Sequence, residues 1–136
     1  QLPAEAFSRL RHLQQLDLSG NSLRGALPVE LVKLPNLAVL TARSNRLAGE
    51  LPPEVGKAER LTHLDLSDNA LHGTLPTALG LARSLRLLNL SANALEGSLP
   101  ASLGGLTQLE VLSLSANRLT GALPAALASA SALRMI

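Results

Sequence analysis

Three histidines, ten carboxylates and a scatter of serines are the side chains of this 136-residue sequence with the chemistry for acid–base, nucleophilic or metal-ion work. A nucleophile needs a base within reach, and a metal needs several ligands closing on one point. His12, His63 and His72 fall at different places in the pattern described below, and none is paired with an acid in an evident triad. His63 has no second His, no Cys and no suitably spaced carboxylate, so no metal site is expected. Neither a phosphate-cradling G-x-x-x-x-G-K-[ST] sequence nor a kinase motif occurs. The expectation is a chain that is not an enzyme, with no catalytic residues, no metal and no cofactor.

Composition narrows the partners. The formal charge is +2 with opposite charges interspersed, and Phe7 is the sole aromatic residue. Without a Lys/Arg run or stacking platforms, nucleic-acid binding is excluded. No apolar run approaches the roughly 20 residues that span a bilayer, so no direct membrane contact by this segment is expected. The absence of Cys excludes disulfides and thiolate metal sites and leaves a cytoplasmic setting open.

What the sequence does space with rigour is an amide. Asn21, Asn45, Asn69, Asn93 and Asn117 stand 24 residues apart. Leu23, Leu47, Leu71, Leu95 and Leu119 keep step with them, as do the series beginning at Gly25 and at Pro28. A constant period of this size marks a solenoid. Before each Asn, pairs such as Leu64/Leu66 and Leu88/Leu90 alternate as in a strand with one buried face. The Asn follows the strand, where the chain turns inward, and a buried amide there can bond backbone groups of its own coil and the next. The Asn residues are therefore expected to form a structural ladder. Gly allows a backbone that a Cβ would block, and Pro removes a donor at the exit of the segment. Leu31, Leu34, Leu37 and Leu40, spaced by three, fit a 3₁₀-like or loosely helical return.

The assembled pattern, L-x-x-L-x-L-x-x-N-x-L-x-G-x-L-P-x-x-L, resembles the plant-type leucine-rich repeat and covers essentially the whole chain. The resemblance implies an α/β solenoid: a right-handed superhelix with a concave parallel β-sheet and an irregular or 3₁₀ convex side. It also implies a second short strand around L-x-G-x-L-P. The expected organisation is one array over residues 1–136, five in-register 24-residue units at about 13–136 preceded by a partial unit, 1–12. The opening "QLPAEAFSRLRHL" departs from the pattern, with three residues between Pro3 and Phe7 where later repeats have two between Pro and Leu. The cysteine-paired caps usual in plant ectodomains are absent. An end at Ile136, in the column of Leu40 and Leu112, would expose an apolar coil face, so an excerpt of a longer array is expected.

In such a solenoid the outward strand side chains form one surface, strands roughly 4.8 Å apart. One column reads Gln15, Val39, His63, Leu87, Val111; the next reads Asp17, Thr41, Asp65, Asn89, Ser113; a third begins Ser19, Arg43, Ser67. Gln15, Asp17, Val39, Arg43, His63, Asp65, Leu87 and Val111 are the candidate concave binding residues. Arg43, diagonal to Asp17 and Asp65, reads either as a contact for a charged partner or, with more weight, as the centre of a surface ion pair. Asn89-Leu90-Ser91 is the single N-x-S/T sequence, expected to point outward and to accept a glycan in a secreted protein.

The function expected from the resemblance is a protein- or peptide-binding module of a receptor-like kinase or receptor-like protein, active in signal transduction at the extracellular face of the plasma membrane. Its partner would be a peptide or protein ligand, or a co-receptor ectodomain. The alternatives are a secreted inhibitor of the polygalacturonase-inhibiting type, an ice-binding or structural solenoid, and an intracellular scaffold.

Overall fold

The computed structural model describes residues 4–7 and 9–134. Pro3 and Ile136, on which the opening spacing and the terminal column depend, lie outside the described residues. Ten strands follow in chain order: β1 (Gln15–Asp17), β2 (Arg24–Gly25), β3 (Val39–Thr41), β4 (Arg46–Gly49), β5 (His63–Asp65), β6 (Ala70–Gly73), β7 (Leu87–Asn89), β8 (Ala94–Ser98), β9 (Val111–Ser113) and β10 (Arg118–Thr120). The odd strands pair in parallel as one sheet, β1-β3-β5-β7-β9, and the even strands as a second, β2-β4-β6-β8-β10. The two sheets match the α/β solenoid and its second short strand.

The registers differ. On the odd-strand sheet each residue pairs with the one 24 positions on, as Leu40 with Leu64 and Leu64 with Leu88. On the even-strand sheet the step is 22: Arg24 pairs with Arg46, Ala48 with Ala70, His72 with Ala94 and Glu96 with Arg118. The ladder amide produces the slip. Asn45 Oδ1 accepts the Leu23 N–H at 3.1 Å, taking the place of a backbone carbonyl, and the Arg46 N–H then reaches Leu23 O at 2.8 Å.

Each amide from Asn45 onward binds two coils. Asn69 Nδ2 donates to Leu66 O and Ser67 O of its own coil and to Ala42 O of the preceding one, while its Oδ1 accepts the Leu47 N–H. Asn45, Asn93 and Asn117 repeat this arrangement. The ladder expected from the spacing is present, with one correction: these amides are half-buried rather than fully buried, and Asn21 is exposed. Asn21 bonds only Leu18 O and Ser19 O within its own coil.

Leucines fill the interior between the sheets and the return segments. Leu40, Leu64, Leu88 and Leu112 from the odd strands are fully buried, as are Leu47, Leu71 and Leu95 from the even ones. Each such side chain contributes about 1.5–3 kcal/mol of apolar burial. The return segments fit the 3₁₀-like or loosely helical expectation and use both forms. The first two are short α-helices, α1 (Ala4–Phe7) and α2 (Val29–Val32), and only the later four are 3₁₀: Pro53–Lys57, Thr77–Leu81, Ala101–Gly105 and Ala125–Ser129. Pro28, Pro52, Pro76, Pro100 and Pro124 stand immediately before a return helix in extended backbone, with φ between −60° and −70°. Their role is thus to set the entry of the helix, where a missing N–H costs nothing.

Just ahead of each ladder Asn the chain passes through the left-handed region, at Gly20 (φ 67°), Ser44 (54°), Asp68 (55°), Ala92 (52°) and Ala116 (54°). An L-residue there is strained by roughly 1–2 kcal/mol. Ala92 is exposed and has no packing to lose. Ala92→Gly is therefore expected to raise stability by about 0.5–1 kcal/mol, after the entropy that Gly adds to the unfolded chain is subtracted. Urea unfolding of the two proteins measures it.

Candidate interaction surface on the concave sheet

The odd-strand sheet brings the two candidate columns into register. Gln15, Val39, His63, Leu87 and Val111 are successive pairing partners, and so are Asp17, Thr41, Asp65, Asn89 and Ser113. Gln15 and Asp17 are exposed at the sheet edge, and the other eight are half-buried. The column Val39–His63–Leu87–Val111 therefore shows solvent only part of each side chain, less than the sequence alone suggests.

The acidic column is organised by short-range bonds. Asp65 Oδ1 accepts the Ser67 N–H at 2.9 Å and the Ser67 hydroxyl at 2.6 Å, and Asp65 Oδ2 accepts Asn89 Nδ2 at 3.3 Å. Asn89 Oδ1 in turn accepts the N–H and hydroxyl of Ser91. Asn89 is thus tied down within the sheet instead of projecting freely. In the first coil the Ser19 N–H likewise donates to Asp17 Oδ1, at 2.9 Å. That backbone donor holds the Asp17 carboxyl below its ordinary range, with further help from the Ser19 hydroxyl and then from Thr41 and Arg43 on the neighbouring coil.

The ion pair expected of Arg43 is not formed. Among the described residues the single ion pair is Arg86–Glu110, at 3.5 Å. The reason is visible in the bonds above, since both oxygens of Asp65 already have donors and Asp17 is turned to its own backbone. Arg43 is left exposed on the surface with its charge uncompensated at contact distance.

His63 carries a feature that spacing could not reveal. The Thr62 hydroxyl donates to Ala38 O at 2.9 Å and lies 2.8 Å from His63 Nδ1. A hydroxyl has one proton, so both contacts are satisfied when Nδ1–H donates to Thr62, leaving Nε2 as a free acceptor. His72 is exposed, and no group of three or more His, Cys, Asp or Glu able to hold a metal occurs among the described residues.

Among the described residues three leucines are exposed, Leu10 (43%), Leu81 (62%) and Leu123 (58%). Leu81 was legible, because its column otherwise reads Lys33, Lys57, Gly105 and Ser129. Where the two sheets meet in the last coil, Ser113, Ser115, Leu119, Thr120 and Leu123 line an open groove of about 560 Å³. No helix among the described residues is long and apolar enough to cross a membrane.

The fold has clear counterparts. A family model described as leucine rich repeat matches residues 1–47 and 83–136, and a second of the same description matches residues 60–81. The ectodomain of the Arabidopsis thaliana membrane receptor kinase GASSHO1/SCHENGEN3, solved in complex with CASPARIAN STRIP INTEGRITY FACTOR 2, superposes with a TM-score of 0.94 at 36% identity. That match covers 98% of this chain and 16% of the ectodomain. The Arabidopsis receptor kinase HAESA, in complex with the peptide hormone IDA and the co-receptor SERK1, gives a TM-score of 0.94 at 31% identity, over 100% of this chain and 23% of that one. The Arabidopsis thaliana BIR3–SERK2 complex gives 0.82 at 36% identity, over 88% of this chain and 64% of that one. The chain thus spans less than two thirds of each. No curated protein sequence matches it.

Proposed function

Because the chain belongs to the leucine-rich repeat family, we propose that it is part of the extracellular region of a plant receptor-like kinase or receptor-like protein, and that it binds a peptide or a co-receptor ectodomain on its concave sheet. The fold is that of a non-catalytic binding module, like the receptor ectodomains it resembles. The observation that carries the concave reading is the in-register row Val39–His63–Leu87–Val111, half-exposed beside a row of hydroxyl, amide and carboxylate groups. Apolar side chains of a partner gain by covering the first row, and its backbone can bond to the second. The groups of the second row are already fixed by their own hydrogen bonds, so little ordering entropy is lost on docking.

An N-glycan on Asn89 would stand between Leu87 and the hydroxyl of Ser91, on this same face. Glycosylation there and concave binding compete for one surface.

The test is a pair of charge insertions. Leu87→Glu with Val111→Glu is expected to weaken affinity for the peptide or ectodomain partner at least tenfold, about 1.4 kcal/mol. Leu81→Glu, on a return helix, is expected to leave affinity unchanged. Surface plasmon resonance on the parent ectodomain reads both. Equal losses from the two changes, or a loss from Leu81→Glu alone, would overturn the reading.

A further inference from the structure

Along the flank where each return helix hands over to the next odd strand, cations recur coil after coil: Arg11, Lys33, Lys57, Arg60, Arg83 and Arg86, all exposed. Elsewhere along the flank these cations have other neighbours. Arg60 donates to Asn36 Oδ1 at 2.7 Å, and the groove around Arg11 and Lys33 includes Glu30 and the apolar Leu34 and Pro35. Three successive coils converge on an open groove of about 410 Å³ lined by Thr62, Arg83, Ser84, Arg86, Thr107 and Gln108.

The groove has an imbalance of donors. The Thr62 hydroxyl proton is committed to Ala38 O, and that of Ser84 to Glu59 O. Arg83 forms no ion pair among the described residues, and Arg86 reaches Glu110 only at 3.5 Å, with both side chains about half in solvent. The guanidinium groups of Arg83 and Arg86, the Thr107 hydroxyl and the Gln108 amide therefore face the groove with donors to spare, and no carboxylate belongs to its lining. A groove lined by two guanidinium groups and no carboxylate favours a group that is all acceptor. Thr62 also joins the groove to the concave row through its contact with His63, and Arg86 directly precedes Leu87.

We propose that the Arg83/Arg86 groove binds an oxyanion, the carboxylate of an acidic side chain on a partner docked across the adjoining apolar row. The oxyanion site stands on the groove's own donors; the identity of its bearer rests on the concave-binding reading. Each guanidinium is a planar fork that can grip a carboxylate in bidentate fashion, and Thr107 and Gln108 add donors from the next coil.

The experiment is a titration of the 136-residue chain with N-acetyl-glutamate amide and, separately, with inorganic sulfate, followed through the arginine Nε–Hε NMR signals. Saturable shifts at Arg83 and Arg86, absent at Arg118 on the even-strand sheet, are the expected result with the glutamate probe. Arg83→Gln with Arg86→Gln should weaken that binding at least tenfold, circular dichroism verifying that the fold is kept. Parallel, unsaturable shifts at all arginines, or a double variant that binds as the parent does, would overturn the site. Saturation by sulfate without saturation by the glutamate probe would overturn the carboxylate assignment. Since no docked partner enters the titration, its outcome is independent of whether the concave row binds one.

Discussion

Replacing Asn69 with Ala is expected to destabilise the chain by about 3 kcal/mol or more, whereas Asn21→Ala should cost less than about 1 kcal/mol. The two residues have the same type and the same place in the repeat, so the difference isolates what stacking adds. Asn69 serves carbonyls of two coils and accepts the Leu47 N–H at 2.9 Å, beside a fully buried Leu47 side chain. Its loss strands one donor and up to three acceptors in a partly dry seam, each costing about 1–3 kcal/mol when left unpaired, less whatever water recovers. Asn21 is exposed and holds only two carbonyls of its own coil, which water can serve instead. Because repeat arrays draw stability from nearest-neighbour interfaces, a break at Asn69 also uncouples the coils on either side. A lower m-value and a broadened urea transition should accompany the loss. Equal costs at the two positions would mean that the amides stabilise single turns and not the seam between coils.

Much of this could be read from the residue columns, and the rest could not for definite physical reasons. Leu64/Leu66 and their counterparts placed the odd strands, because a period-two apolar pair has one solution when one face must be buried. Asn45 and its companions were assignable because an amide fixed in step with an inward turn has few other uses. The two-residue register slip of the even strands was not legible. It arises from Asn Oδ1 standing in for a backbone carbonyl, and a count that treats every column as advancing by 24 cannot contain it. Arg43 failed for a different reason. Its diagonal position between Asp17 and Asp65 was right, but proximity says nothing of competing donors, and Ser67 and Asn89 sit closer to Asp65 than any arginine. The Arg83/Arg86 groove was hidden because it assembles residues from three coils whose columns are individually unremarked. The donor surplus exists only once the Thr62 and Ser84 protons are known to be spent elsewhere.

A second glycine series packs three of the four 3₁₀ returns closely against their successors, and it yields the other large expected effect. Gly56, Gly80 and Gly104 share a column with Val32 and Ala128. A Cβ at Gly80 would fall 2.0 Å from Ser102 O, one at Gly56 2.0 Å from Ala78 O, and one at Gly104 2.3 Å from Ala126 O. In each case the obstacle is the backbone of the next 3₁₀ return, which cannot swing aside as a side-chain tip could. Where the column holds Val32 the return is the α-helix α2; where it holds Gly the return is 3₁₀ and lies flush against its successor. Ala128 holds the column in the last described return, which is 3₁₀ without the glycine, and is exposed. Gly80→Ala is therefore expected to cost about 3 kcal/mol or more, since relief of the overlap requires two coils to separate along their whole contact. The matched control is Gly20→Ala. A Cβ at Gly20 meets nothing within 4 Å, and the same place in later repeats already holds Ala92 and Ala116 at similar φ. Its cost should be the backbone strain alone, about 1 kcal/mol. Thermal and urea unfolding of the two variants decide the matter: a Gly80→Ala protein no less stable than Gly20→Ala would show that the returns have slack, and that leucine packing, not backbone contact, sets the spacing of the coils.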